Sequence, residues 1–201
     1  MRFLFFLALA GCPGMVHAQQ ALRSGTYDAQ LHLAFNPATQ TITGYFEDYT
    51  GLDAQTGNPR FSCIFYLKGQ LKGRNAVIQT YYPADSAGDV ITGTLQLVSD
   101  RQVTLQLPEE HGGCWNVQHF TDAPVDFSLS AQQPWVALRY VTMARSYFYT
   151  SPQTGTQRKA FMVKGDVLHI ERYNGQWAYG TYFGKTATRG WIRTNTLNPL
   201  P

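Results

Sequence analysis

The side chains best suited to chemistry crowd one stretch of the chain. Glu109-Glu110-His111 runs into Gly112-Gly113-Cys114-Trp115, and a second cysteine, Cys63, lies well upstream. Adjacent carboxylates beside an imidazole can act as acid and base or hold a cation, and a histidine three residues before a cysteine can activate its thiolate. A hydrolase reading therefore rests on Glu110, His111 or Cys114. The same residues have a plainer reading as a solvated loop. Consecutive strand residues face opposite sides, so Glu109 and Glu110 cooperate only if the backbone bends there. The chain lacks His-Glu-x-x-His, Gly-x-x-x-x-Gly-Lys and Gly-x-Ser-x-Gly, the spacings that serve zinc proteases, phosphate-binding loops and serine hydrolases. Cys63, Cys114, His111 and His119 do not assemble a metal set by spacing, so no metal and no cofactor are expected.

The fate of the cysteines depends on where the chain goes. Met1-Arg2 gives a positive start, Phe3 to Ala10 is apolar, and Val16-His17-Ala18 offers small residues at both recognition positions of a cleavage site. The apolar run is far short of the ~20 residues needed to cross a bilayer. The pattern reads as a secretory signal peptide, residues 1–18. A competing reading takes Leu9-Ala10-Gly11-Cys12 as a lipobox, with the protein lipid-anchored through Cys12. Either way the mature chain is expected in the periplasm or secreted, with no transmembrane segment. With Cys12 removed, Cys63 and Cys114 are most simply one disulfide in an oxidising compartment.

Strands must position all of this. The chain has 201 residues, 44% hydrophobic, 14% aromatic and 14% charged, with 18 glycines and 10 prolines. That composition suits β-sheet and excludes a long disordered segment. Residues 27–35 alternate, with Tyr27, Ala29, Leu31, Leu33 and Phe35 on one side and Asp28, Gln30 and His32 on the other, the period of a half-buried strand. Further runs follow at 42–49, 61–71, 76–82, 90–98, 103–107, 115–120 and 125–129. Eight short strands separated by turn residues predict an antiparallel barrel or sandwich over residues 19–131. By strand count and size this is analogous to a lipocalin-type barrel. Ala131-Gln132-Gln133-Pro134 reads as a polar link to a second domain, residues 132–201.

The second domain carries a pattern. Tyr147 to Pro152 ends in a proline turn, Lys164-Gly165-Asp166 precedes the alternating Val167-Leu168-His169-Ile170, and Asn174-Gly175 signals a tight hairpin. Trp177 follows, then Gly190-Trp191-Ile192 and a closing Leu197. This order resembles the bacterial SH3-like (SH3b) domain. The resemblance implies a small five-stranded barrel, usually non-catalytic and often an accessory to an exported protein. Where many members carry Asn-(Val/Leu)-Arg-Ser-Gly-Pro, this chain has Tyr147–Pro152 without the Arg and Gly.

Aromatic residues are the remaining signal. Tyr147, Tyr149, Trp177, Tyr179, Tyr182 and Trp191 are too many for a small barrel to bury. Exposed Tyr and Trp give rigid contact area for binding. Trp191 is expected to pack, while Tyr149, Trp177, Tyr179 and Tyr182 are the candidate ligand-binding residues. Lys159, Lys164, Arg172 and Lys185 could add a basic rim suited to acidic peptides or polymers, or simply form a solvated face. The overall charge of +3, without a run of either sign, argues against nucleic acid as a partner. The resulting expectation is an exported all-β binding protein, its ligand a protein or a cell-wall component. One version is an inhibitor or immunity protein against a lytic enzyme or toxin; another is a peptidoglycan-binding adaptor.

Overall fold

The structure, a computed structural model, describes residues 21–82 and 90–199. The signal-peptide and lipobox readings fall on residues 1–18, outside the described residues. Among those described, the regular elements are strands and three single 3-10 turns. Among the described residues no helix is long and apolar enough to cross a membrane.

Eight strands close an antiparallel barrel: β1 (Gly25–Tyr27), β2 (Leu31–Asn36), β3 (Thr41–Leu52), β4 (Pro59–Lys72), β5 (Asn75–Tyr81), β6 (Ile91–Ser99), β7 (Gln102–Gln106) and β8 (Val125–Gln132). Each pairs with its sequence neighbour, and β1 pairs with β8 to close the ring. Closure leaves the barrel without an open sheet edge. Period-two burial runs through the strands, as in β6, where Ile91, Gly93, Leu95 and Leu97 face in. The interior is filled rather than hollow. Phe46, Phe65, Phe120 and Phe127 stack and meet edge-on, with centroids from 5.1 to 6.4 Å apart.

Three sequence expectations need correction. The run 27–35 is two strands, because Asp28 and Ala29 adopt left-handed φ values of 46° and 66° and turn the chain. Tyr27 and Leu31 stay inside, but Ala29 is exposed. The run Trp115–Phe120 is not a strand; Cys114–Asn116 is a 3-10 turn, and Trp115 is 63% exposed. The strand count of eight survives only because these two differences offset each other. Finally, β8 runs two residues into the predicted link, pairing Ala131 with Thr26 and Gln132 with Gly25.

Beyond the link lie β9 (Ala137–Tyr140), β10 (Arg145–Tyr149), β11 (Gln157–Val163), β12 (Val167–Asn174), β13 (Trp177–Phe183) and β14 (Ala187–Arg193). They form one sheet in the order β11-β10-β14-β13-β12-β9. One face gathers Phe148, Met162, Leu168, Ile170, Ala178, Ile192 and Leu197 into a core. The end of the chain is pinned to this unit: buried Arg139 donates to the carbonyls of Asn198, at 2.5 Å, and Leu197, at 3.2 Å.

A disulfide joins Cys63 on β4 to Cys114 in the loop after β7, with Cα atoms 4.3 Å apart. Gly113 makes this approach possible. Its φ is 88°, and a Cβ there would sit 2.2 Å from the Ser62 carbonyl oxygen, so only glycine lets the loop lie against β4. The bridge spans 51 positions, and on the chain-entropy account it restricts the unfolded chain by about 4 kcal/mol. Urea unfolding with and without reductant is expected to show a loss of that order. An unchanged midpoint would remove the bridge from the account of stability.

Candidate functional site

The opposite face of the second sheet carries the candidate site. Tyr149 on β10 pairs with Trp191 on β14, and Trp191 pairs with Tyr179 on β13. Directly opposed residues share a face, so the three rings form a row across the strands. The register shift between Ile170 and Arg172 brings Arg172 opposite Tyr179. Its guanidinium lies 3.9 Å from the Tyr179 ring centre and 5.3 Å from that of Trp191. Trp177, two residues from Tyr179, meets Tyr149 edge-on at 4.8 Å and carries the Arg193 guanidinium 4.8 Å above it. Arg189 reaches toward Tyr179 and forms an ion pair with Glu171.

Three of the four predicted residues therefore come together. Tyr149 is the most enclosed, 8% exposed, with its hydroxyl donating to Gln157 at 3.2 Å. Trp177 and Tyr179 are half-buried. Tyr182 does not join them. It points to the opposite face, packs against the inner core and donates to Asp166 at 3.1 Å. Trp191, which the sequence assigns to packing, completes the row instead. Of the predicted basic rim, Arg172 belongs to the row, while Arg189 and Arg193 are additions. A β-bulge and cross-strand register place these arginines, and neither is visible as a spacing.

Charge is divided unevenly between the two units. Residues 135–201 carry nine basic and two acidic side chains, whereas residues 21–134 carry six basic and eleven acidic. The overall value of +3 conceals this dipole. Each cation–π contact at a partly exposed site is worth about 0.5–1 kcal/mol, so the row helps to hold its arginines in place.

The same face, further along, docks onto the barrel. Leu138 on β9 is buried with Trp135 and with Ala34 of β2, and its backbone N–H donates to Thr43 Oγ1 at 2.8 Å. His169 on β12 lies 4.5 Å from the Trp135 ring, 4.8 Å from Phe183 and 5.9 Å from both His32 and Tyr45. His32 stacks on Tyr45 at 4.4 Å. The sequence places His32 on the outer side of its strand, as it is, but the second sheet covers that side. Neither ring nitrogen of His169 makes a well-formed hydrogen bond; its approach to the Thr181 backbone raises its pKa, but less than burial lowers it. Burial, with His32 as a second cause, lowers His169 to about 3. Burial lowers His32 to about 4.

The Glu-His-Cys stretch does not converge. Glu110 Oε1 accepts from the Phe120 and Thr121 amides at 2.8 and 3.1 Å and from the Thr121 hydroxyl at 3.1 Å, which folds the loop. Glu109 is exposed. His111 is buried, stacks on Phe65 at 4.9 Å and shares a 2.8 Å hydrogen bond with Thr80. Cys114 is in the disulfide. Among the described residues, no group of three or more His, Cys, Asp and Glu side chains could hold a metal ion. Comparison with protein-family models, curated proteins and solved structures finds no match.

The junction has a testable pH signature. Both imidazoles have folded pKa values below the unfolded value of ~6.5, so the unfolded chain binds more protons between those values. Stability is then full above about pH 6.5 and falls as the pH drops toward 3–4. His169 alone contributes a loss on the order of 3 kcal/mol by about pH 4. Urea unfolding from pH 7 to 4 is expected to show this decline, reduced in His169→Phe. A flat profile would contradict the buried neutral pair.

Proposed function

We propose that this is an exported binding protein that recognises an acidic surface on a partner protein in the cell envelope, through the row Tyr149–Trp191–Tyr179 with Trp177, Arg172 and Arg193. The carrying observation is the row itself: four aromatic rings fixed by cross-strand pairing, with guanidinium groups laid over them. Trp, Tyr and Arg are the side chains that dominate binding energy at protein interfaces. The excess of nine basic over two acidic side chains in residues 135–201 selects an acidic partner and speeds its approach. Inhibition of a lytic enzyme or toxin is one activity such a surface could perform.

Export is part of this reading. The Cys63–Cys114 disulfide and the absence of a membrane-crossing helix among the described residues are compatible with it. We carry forward the SH3-like reading of residues 132–201 as a proposal too. It is supported by the places its marker residues occupy: Lys164-Gly165-Asp166 between β11 and β12, Asn174-Gly175 between β12 and β13, Gly190-Trp191-Ile192 in β14, and Leu197 bridged to Val141. A wall-binding adaptor would follow from that resemblance, whereas the arginine row favours a protein.

The test compares wild type with Arg172→Ala/Arg193→Ala in capture from periplasmic extract and in pelleting with purified peptidoglycan. Capture of a defined acidic protein is expected from wild type, weakened roughly thirtyfold or more in the variant (about 2 kcal/mol for hot-spot truncation) and reversed by salt. An unchanged melting temperature would show that the variant folds. Equal capture by both proteins, or pelleting with peptidoglycan lost only in Trp177→Ala, would overturn the proposal.

A further inference from the structure

A groove of about 530 Å³ runs between the barrel and the second sheet, away from the arginine row. Its barrel wall is Glu47 of β3 with Ile64 and Tyr66 of β4, and Tyr82 follows β5. Its opposite wall is Tyr140 of β9 with Lys164-Gly165, the turn between β11 and β12. The walls are tied together where the Tyr66 hydroxyl donates to the Gly165 carbonyl at 3.3 Å. The Tyr66 and Tyr140 rings also meet edge-on at 5.2 Å. Glu47 and Ile64 are cross-strand partners, which puts the carboxylate beside an apolar side chain on the groove floor.

The volume and lining are those of a small-molecule site: ~300–1,000 Å³, mostly aromatic and aliphatic, with a few polar groups that fix orientation. The polar groups here are one of each charge. Glu47 is half-buried and makes no ion pair among the described residues; the Tyr49 hydroxyl touches it at 3.5 Å, the limit of hydrogen-bond range. Lys164 is exposed at the rim and forms no ion pair among the described residues either. Burial raises the Glu47 pKa, the mark of a carboxylate lacking a cation. A half-buried charge without a partner is costly unless something completes it.

We propose that this groove binds a small zwitterion, a free amino acid or a short peptide with unblocked ends. Its ammonium sits against Glu47, its carboxylate against Lys164, and its apolar body lies between the Tyr66, Tyr82 and Tyr140 rings. A cation alone would be opposed by Lys164 and an anion alone by Glu47. Only a ligand carrying both charges completes both groups. Its binding does not need the acidic partner of the outer face.

The experiment uses the full mature chain and three probes: the free dipeptide leucylleucine, its N-acetyl derivative and its C-terminal amide. Binding is followed by tyrosine fluorescence and by NMR shifts. Leucylleucine is expected to saturate below about 10 mM. N-acetylation and Glu47→Gln should each weaken binding about tenfold, the scale of one charge-assisted hydrogen bond, and the two together should cost no more than either alone. Amidation and Lys164→Met should behave as a second such pair, which carries the test alone if Glu47→Gln fails to fold. Arg172→Ala/Arg193→Ala should leave dipeptide binding unchanged, which separates this site from the outer face. Equal binding of free and blocked probes, insensitivity to both groove substitutions, or no saturation would each overturn the proposal.

Discussion

Two imidazoles, one from each unit, His169 buried and His32 half-buried, meet without charge, and the arrangement of the molecule turns on that contact. His32 projects outward from β2 and His169 from the outer face of β12, and Trp135 at the end of the link packs against both, with its ring 6.2 Å from one and 4.5 Å from the other. Rings at such distances gain area burial and stacking or edge-to-face attraction, and burial disfavours the charged form of both imidazoles. A proton on either would place an unpaired cation among Tyr45, Phe183 and Trp135, where nothing in contact is acidic. Neutrality at the junction is therefore a condition of docking.

Docking divides the sheet's outer face. One end, with Leu138 and His169, packs on the barrel; at the other, Trp191 and Tyr179 remain half-exposed over the enclosed Tyr149. The same docking draws Tyr140 and Lys164 to the flank of β3 and β4, which creates the groove. The acidic barrel and basic sheet are thus held in one dipolar body, with the two charged units in a fixed relation. The disulfide acts on another part of the barrel, where it ties the β7–β8 loop to β4 and leaves the packed interior closed.

The fold was legible where one face decides burial. Alternation in β3 to β8 located the barrel strands within three residues at every end, and the pairing of Cys63 with Cys114 followed from compartment and count. What failed did so for local reasons. Asp28 and Ala29 are not glycines, so their left-handed turn left no mark in the alternation. Trp115 begins an apolar stretch that reads as a strand, but Gly113 and the disulfide commit its backbone to a tight turn. The site was half legible. Aromatic crowding pointed to Tyr149, Trp177 and Tyr179, yet Tyr182 lies an odd number of residues from Tyr179 on the same strand and so faces inward. The uneven charge was present in the residue counts and hidden by their sum. The junction and the groove were invisible, because His32, Glu47 and Tyr66 sit at ordinary outward positions, and only docking of the second unit gives them partners.

The central claim is that barrel and sheet form one body locked through His32, Trp135 and His169. Solution NMR of the protein at neutral pH addresses it directly, through cross-relaxation among these three rings and residual dipolar couplings from both units. The account predicts cross-peaks from His32 to Trp135 and His169, and a single alignment tensor that fits barrel and sheet together. Absent cross-peaks, with two units that align independently, would contradict it.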